Sequence, residues 1–332
     1  MLDIPADLTL TEATIIDDGT LLMIVAPEMK ELNFTADWLK AHSSGKARPQ
    51  NQGWLGPKVK TWDAGLQDNI HRAEWDQIFK SSEVLGEWLA AVRVSGVAVL
   101  HGLPTKPGSL CDVAELFGFV RETNYGRWFE VRSEINPSNL AYTNLGLQAH
   151  TDNPYGDPVP TLQLLACLEN SVEDGDLIVV DRFKVAEKLK SEHSGAFDLL
   201  SKYCVNFDYS GSEGVRLRAR KPMNELAPDG QLIAVRFNNR SSAPYMDIPF
   251  EDMEAYYDAY RKFVEIVELP EMQVSFNLSP GDLFIVDNTR VLHLRNAFSD
   301  SGTRWLEGCY ADLDELYSTL VHIEETQNLE SA

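Results

Sequence analysis

The chain has 332 residues and a formal net charge of −22, from 29 Lys and Arg against 51 Asp and Glu, a balance that disfavours nucleic acid as a partner. With 44% hydrophobic and 24% charged residues it can fill a core, which excludes wholesale disorder. No apolar run approaches the ~20 residues that span a bilayer, and residues 1–7 lack the basic segment and apolar stretch of a signal peptide. The expectation is a cytoplasmic protein with a small-molecule partner, not one that binds nucleic acid or a membrane.

Residues 1–45 carry two short strand-like runs, Ala13 to Ile16 and Leu21 to Val25, then the helical Thr35-Ala-Asp-Trp-Leu-Lys. They read as a small cap, followed by one large domain over 46–332, with the polar stretch His42 to Gly53 as the linker. Trp75, Ile78, Phe79, Leu85, Trp88, Leu89 and Val92 then recur at helical spacing up to Gly96, and Val97 to Leu100 reads as a strand. Further strands are expected at 140–142, 161–168, 177–180, 205–209, 215–219, 231–237, 273–278 and 283–286. Two helical stretches interrupt them, Lys184 to Tyr203 and Phe250 to Leu269. Many short strands with few helices between them predict a mainly β sandwich or barrel decorated by helices. Near the C-terminus Leu313, Leu316, Leu320 and Ile323 share one helix face, which suits either a homodimer seam or packing within the chain. Cys111, Cys167, Cys204 and Cys309 have no paired spacing and sit among apolar residues, as reduced core cysteines do.

The chemistry concentrates in two segments. His150-Thr-Asp152 follows a strand, and His293 follows the strand 283–286 and the turn Asp287-Asn-Thr-Arg. Two imidazoles and a carboxylate on the rims of adjacent strands form a facial triad, a set that holds Fe(II) and leaves positions open. Arg304 lies eleven residues beyond His293 among apolar and aromatic neighbours, where its fork suits a carboxylate better than a surface ion pair. His101, on its own apolar strand, is expected to be a hydrogen-bonded structural residue.

Four segments in order, His150-Thr-Asp-Asn-Pro-Tyr, Val159-Pro-Thr-Leu-Gln-Leu-Leu-Ala-Cys-Leu, Asp287-Asn-Thr-Arg-Val-Leu-His and Leu306-Glu-Gly-Cys-Tyr-Ala-Asp, resemble the γ-butyrobetaine and trimethyllysine hydroxylases. These are a branch of the taurine-dioxygenase-like Fe(II)/2-oxoglutarate oxygenases. The resemblance runs from about Gly96 to the C-terminal helix. It implies a double-stranded β-helix (jelly-roll) core, Fe(II) on His150, Asp152 and His293, and 2-oxoglutarate clasped by Arg304 with Leu165 lining its pocket. The reaction it implies consumes O2 and converts 2-oxoglutarate to succinate and CO2 while hydroxylating an unactivated C–H bond.

Tyr125, Phe129, Tyr142 and Tyr310 match the register of that family's aromatic cage, in which ring faces surround a trimethylammonium group; Trp128 is adjacent. For the anionic end of a zwitterion, Asn139, Asn153, Asn239 and Arg240 offer suitable donors, although Asn238-Asn-Arg-Ser-Ser also reads as an ordinary polar loop. The sequence departs from the family at Asp174, Leu177 and Arg182, where Asp174 and Arg182 replace small turn residues. Gly156 stands where a relative acting on 2-(trimethylamino)ethylphosphonate places an anion-binding arginine, which favours a carboxylate betaine. No cysteine precedes Cys111, so the cap lacks the zinc ligands of the animal members. The leading expectation is a hydroxylase of a small quaternary ammonium zwitterion. A taurine-like sulfonate or small-acid dioxygenase and a non-catalytic jelly-roll binder are the alternatives.

Overall fold

Strand Leu283–Asp287 is buried along its whole length, and its period-2 alternation divides the molecule into layers. Phe284 and Val286 pack into the core between two sheets, whereas Leu283 and Ile285 pack into the core beneath the helices. In this computed structural model the described residues are 5–16, 19–42, 55–56, 58–132, 146–172, 176–211, 213–297 and 302–330. The chain divides into two compact units, Met1–Gln52 and Gly53–Ala332. The first carries an antiparallel sheet in the order Thr9–Ile15, Leu21–Ala26, Lys30–Phe34, of which the last strand lay outside the sequence reading. Helix Ala36–His42 follows, and the Thr35 hydroxyl accepts from Trp38 N at 3.2 Å, satisfying one of the amides a helix start leaves open.

The second unit is built on two sheets facing each other. One has six strands in the order Arg72–Glu74, Val97–His101, Leu283–Asp287, Leu162–Asn170, Arg304–Ala311, Phe129–Arg132. The other has four, Gln273–Phe276, Leu177–Asp181, Val291–Arg295, Leu147–His150. Val97, Val99, Leu165, Val179, Val274 and Leu306 join Phe284 and Val286 between them, the arrangement of the expected jelly roll. Helices cover both outer faces, so central strands such as Leu177–Asp181 and Leu283–Asp287 are buried on two sides instead of one. Trp88, on helix Ser82–Ser95, is fully buried there and donates its indole N–H to Val99 O at 3.0 Å. Burying a side chain of this size contributes roughly 2 to 3 kcal/mol.

Several expected boundaries shift for local reasons. The helical pattern 75–95 breaks at Ser81, whose backbone is extended (φ −132°, ψ 116°) and whose hydroxyl caps a new helix by accepting from Val84 N. The stretch 184–203 is two helices, Arg182–Glu192 and Ser194–Lys202, parted at His193. Helix Ser109–Glu115 and strand Phe129–Arg132 were not expected. The expected strand 140–142 and Asp174 lie outside the described residues. Arg182 brings no backbone strain: it opens a helix capped by Asp181, is fully buried, and donates to Arg290 O at 2.9 Å and Asn288 O at 2.6 Å. Helix Leu313–Glu330 buries Leu316, Leu320 and Ile323 in the chain's own core, with Leu313 packed against it. That face therefore cannot serve as a dimer seam.

Candidate active site

His293 follows the strand Leu283–Asp287 and its turn, as the sequence suggested, and lies within the next strand, which the sequence reading did not include. Val291–Arg295 pairs antiparallel with Leu147–His150, and His293 stands directly opposite His150, which leaves the two ring centroids 4.2 Å apart. Asp152 comes two residues after the strand end, where the chain is clipped from both sides. Thr151 N donates to Phe237 O, and Asn238 Nδ2 donates to Thr151 O, each at 2.8 Å. Asn288 takes Asp152 N at 2.8 Å and returns its amide to Asp152 O at 3.0 Å and Pro160 O at 2.9 Å. Asn288 belongs to the turn that leads into the His293 strand. That turn is braced by the buried pair Arg290–Asp181 at 2.8 Å.

The result is a convergence of three donor atoms, all within 4.8 Å of one another. Asp152 Oδ1 lies 3.5 Å from His150 Nε2 and 3.8 Å from His293 Nε2. Burial holds both imidazoles below their ordinary range, so each presents a lone pair instead of a proton. His150 Nδ1 lies 2.8 Å from Gln148 O; with its proton on that nitrogen, Nε2 is free to ligate. Two neutral nitrogens and one carboxylate oxygen fit Fe(II), and His150, Asp152 and His293 would hold it. His101 is elsewhere, its Nδ1 2.6 Å from Asp282 Oδ1.

The triad opens onto a cavity of about 590 Å³. Toward the interior of the sandwich it is lined by Leu165, Leu177, Leu306, Arg295 and Arg304. Burial lowers Arg304 to about 10, still cationic at neutral pH, and pushes the neighbouring Cys167 thiol up to about 12. At the other end Tyr125, Phe129 and Tyr310 line the same volume, joined by Tyr155 and Tyr209, which the sequence reading had not singled out. Ring centroids are 5.8 Å apart for Tyr125 and Phe129, 5.3 Å for Phe129 and Tyr310, and 4.8 Å for Tyr155 and Tyr209. The Phe129 ring lies over Gly308, where a Cβ would come within 2.3 Å of it; a strand glycine here makes room for the ring. Trp128 packs instead against the core under the helices. Tyr142 and Asn139 lie outside the described residues.

Of the other polar candidates, Asn153 and Arg240 line the cavity. Asn153 is held at φ 48° and accepts from the Tyr155 hydroxyl at 2.9 Å, which in turn lies 2.9 Å from the Tyr125 hydroxyl. Asn239 does not line it: it is exposed and its side-chain oxygen accepts from Tyr260. Its neighbour Asn238 faces the cavity instead, because the Asn238 oxygen accepts from the amides of Arg240 and Ser241 and fixes the turn inward. Gly156 is not among the lining residues, and a Cβ there would meet Asn153 O and Pro158 O at 3.3 Å. Gln163 and Arg295 were also missed. Both are polar residues on strands buried along most of their length, and that mismatch was the available signal.

Residues 63–310 match the family described as taurine catabolism dioxygenase TauD, TfdA family. The chain is 34% identical over 323 residues to the γ-butyrobetaine dioxygenase of a Pseudomonas species, covering 97% of this chain and 83% of that one. It is 33% identical over 313 residues to the human γ-butyrobetaine dioxygenase, covering 92% and 80%. Among solved structures it is similar to an asparagine oxygenase in complex with Fe(II), 3-hydroxyasparagine and succinate. There the identity is 19%, the coverage 69% and 79%, and the TM-score 0.56, a likeness of fold.

Proposed function

This chain belongs to the TauD/TfdA dioxygenase family, and from that premise we propose that it hydroxylates a small quaternary ammonium zwitterion of the γ-butyrobetaine type. Fe(II), 2-oxoglutarate and O2 are its cofactor and cosubstrates. The observation that carries the choice of substrate is a ring-lined end of the cavity, built by Tyr125, Phe129, Tyr155, Tyr209 and Tyr310 and open to the metal triad. A trimethylammonium group has no N–H to donate, so hydrogen-bond acceptors cannot recognise it and ring faces can. Two γ-butyrobetaine dioxygenases among the relatives, at 34% and 33% identity, support the same reading.

When bound, Fe(II) with 2-oxoglutarate would activate O2, so that one oxygen atom turns a C–H bond into C–OH and the other enters succinate as the keto acid loses CO2. The protein's own part is placement. His150, Asp152 and His293 hold the metal on one side of the cavity. Arg304 neutralises the far carboxylate of the cosubstrate in a pocket from which Leu165 and Leu306 exclude water. The rings fix the cationic end of the substrate, and Asn153 with Arg240 hold its anionic end, so the carbon between them lies near the metal. A cytoplasmic site of action fits the free cysteines Cys111, Cys167, Cys204 and Cys309.

The test is a matched pair of ligands, γ-butyrobetaine and its uncharged tert-butyl isostere. Cation–π contacts in a desolvated cage contribute roughly 2 kcal/mol or more. Tyr125→Ala should therefore raise the KM for the charged compound about thirtyfold and change binding of the isostere little. Equal turnover of the two compounds by the parent protein would remove the cage from the reading.

A further inference from the structure

Asp152 meets the two imidazoles through one oxygen only. Its Oδ1 faces His150 and His293, whereas Oδ2 accepts from Gln163 Nε2 at 2.5 Å and from the Tyr310 hydroxyl at 2.8 Å. The two donors are themselves a cross-strand pair: Gln163 and Tyr310 are direct partners across strands Leu162–Asn170 and Arg304–Ala311, so their side chains leave the sheet on one face. Each is 3% exposed. Burying an amide in a strand whose neighbours are Leu162 and Leu164 is unfavourable unless it makes a hydrogen bond that matters. Filling space would need no more than a leucine. Because a carboxylate oxygen only accepts, the amide must turn its nitrogen to it. The Tyr310 hydroxyl likewise has a proton to give to that oxygen.

A free carboxylate can offer a metal either oxygen or both. Two donors on Oδ2 withdraw that oxygen and fix the plane of the group. We propose that Gln163 and Tyr310 are positioning residues that hold Asp152 as a one-oxygen metal ligand. Tyr310 then has two separable parts, a ring on the substrate side and a hydroxyl on the metal side. The ring's part rests on the functional reading above, and the hydroxyl's part does not.

The test is titration of the metal-free protein with Co(II), which requires no substrate. Tyr310→Phe keeps the ring and loses the donor; Gln163→Leu keeps the bulk and loses the donor. Each should weaken Co(II) binding about tenfold or more, the range for partners of metal ligands. The double variant should fall short of the product of the two, since both act on one oxygen. Tyr260→Phe, which removes a phenol outside the cavity, should bind Co(II) as the parent does. Gln163→Glu, nearly the same shape with an acceptor in place of the donor, should bind more weakly than Gln163→Leu; a residue that only packs would give the reverse order. Near-UV circular dichroism checks that each variant is folded. In turnover, Tyr310→Phe should need more Fe(II) at a nearly unchanged KM for γ-butyrobetaine. Failure of the parent to turn over that compound would count against the substrate reading and leave the Co(II) result standing. Co(II) affinities equal to the parent's in both single variants would overturn the proposal.

Discussion

Asp152→Ala should abolish metal binding while the protein stays folded. The carboxylate is one of three donors within 4.8 Å of each other and the only one with negative charge. Its loss should weaken Co(II) or Fe(II) binding by more than the roughly 10- to 100-fold seen for outer partners. Turnover should fall to about a thousandth or less, at least ~4 kcal/mol of the activation barrier. The backbone has reasons of its own to stay where it is. Asn288 grips both the N–H and the carbonyl of residue 152, and Asn238 grips the carbonyl of Thr151; neither contact uses the side chain that is removed. Isothermal titration with Co(II), together with a circular dichroism spectrum, separates the two effects. Retained tight metal binding would show that the donors are a buried polar cluster and no metal centre.

Arg304→Ala should raise the 2-oxoglutarate requirement at least tenfold and leave metal affinity nearly intact. Leaving one charge of a buried pair uncompensated costs about 3 to 5 kcal/mol. Some of that is offset here by Arg295, a second buried guanidinium on the same cavity wall. Arg304→Lys, which keeps the charge and loses the two-pronged geometry, should fall between parent and Ala. The check is the apparent KM for 2-oxoglutarate, measured by succinate release at saturating Fe(II). An unchanged value would transfer the role to Arg295.

The convergence of His150, Asp152 and His293 and the presence of Arg304 on the same cavity were legible because the pattern is local: a His-x-Asp, a later His and an Arg eleven residues on survive any error in strand boundaries. The strand that carries His293 was not. In Val291-Leu-His-Leu-Arg295 the polar residues point between the sheets, where the core should be, so the alternation gives no ordinary hydrophobic strand face. The same inversion hid Arg295 and Gln163, whose polarity is explained only by a cavity that forms when distant strands meet. Helix ends at Ser81 and His193 depend on one residue's backbone angles, which a periodic pattern does not register. The rings divided along similar lines. Tyr125, Phe129 and Tyr310 were found through motif register, while Tyr155 and Tyr209 reach the cavity through the turn after Asp152 and the end of strand Cys204–Tyr209. Asn238 took the place expected of Asn239 because a turn of the chain exchanges inward and outward faces with a single residue.

The most direct measurement is the yield of succinate and of hydroxylated product from 2-oxoglutarate, O2 and Fe(II), with γ-butyrobetaine, 2-(trimethylamino)ethylphosphonate and taurine compared at equal concentration. Succinate released in step with a hydroxylated trimethylammonium compound, and little of either with taurine, is the expected result. Coupled turnover of taurine at a rate equal to or above that of both quaternary ammonium compounds would contradict it.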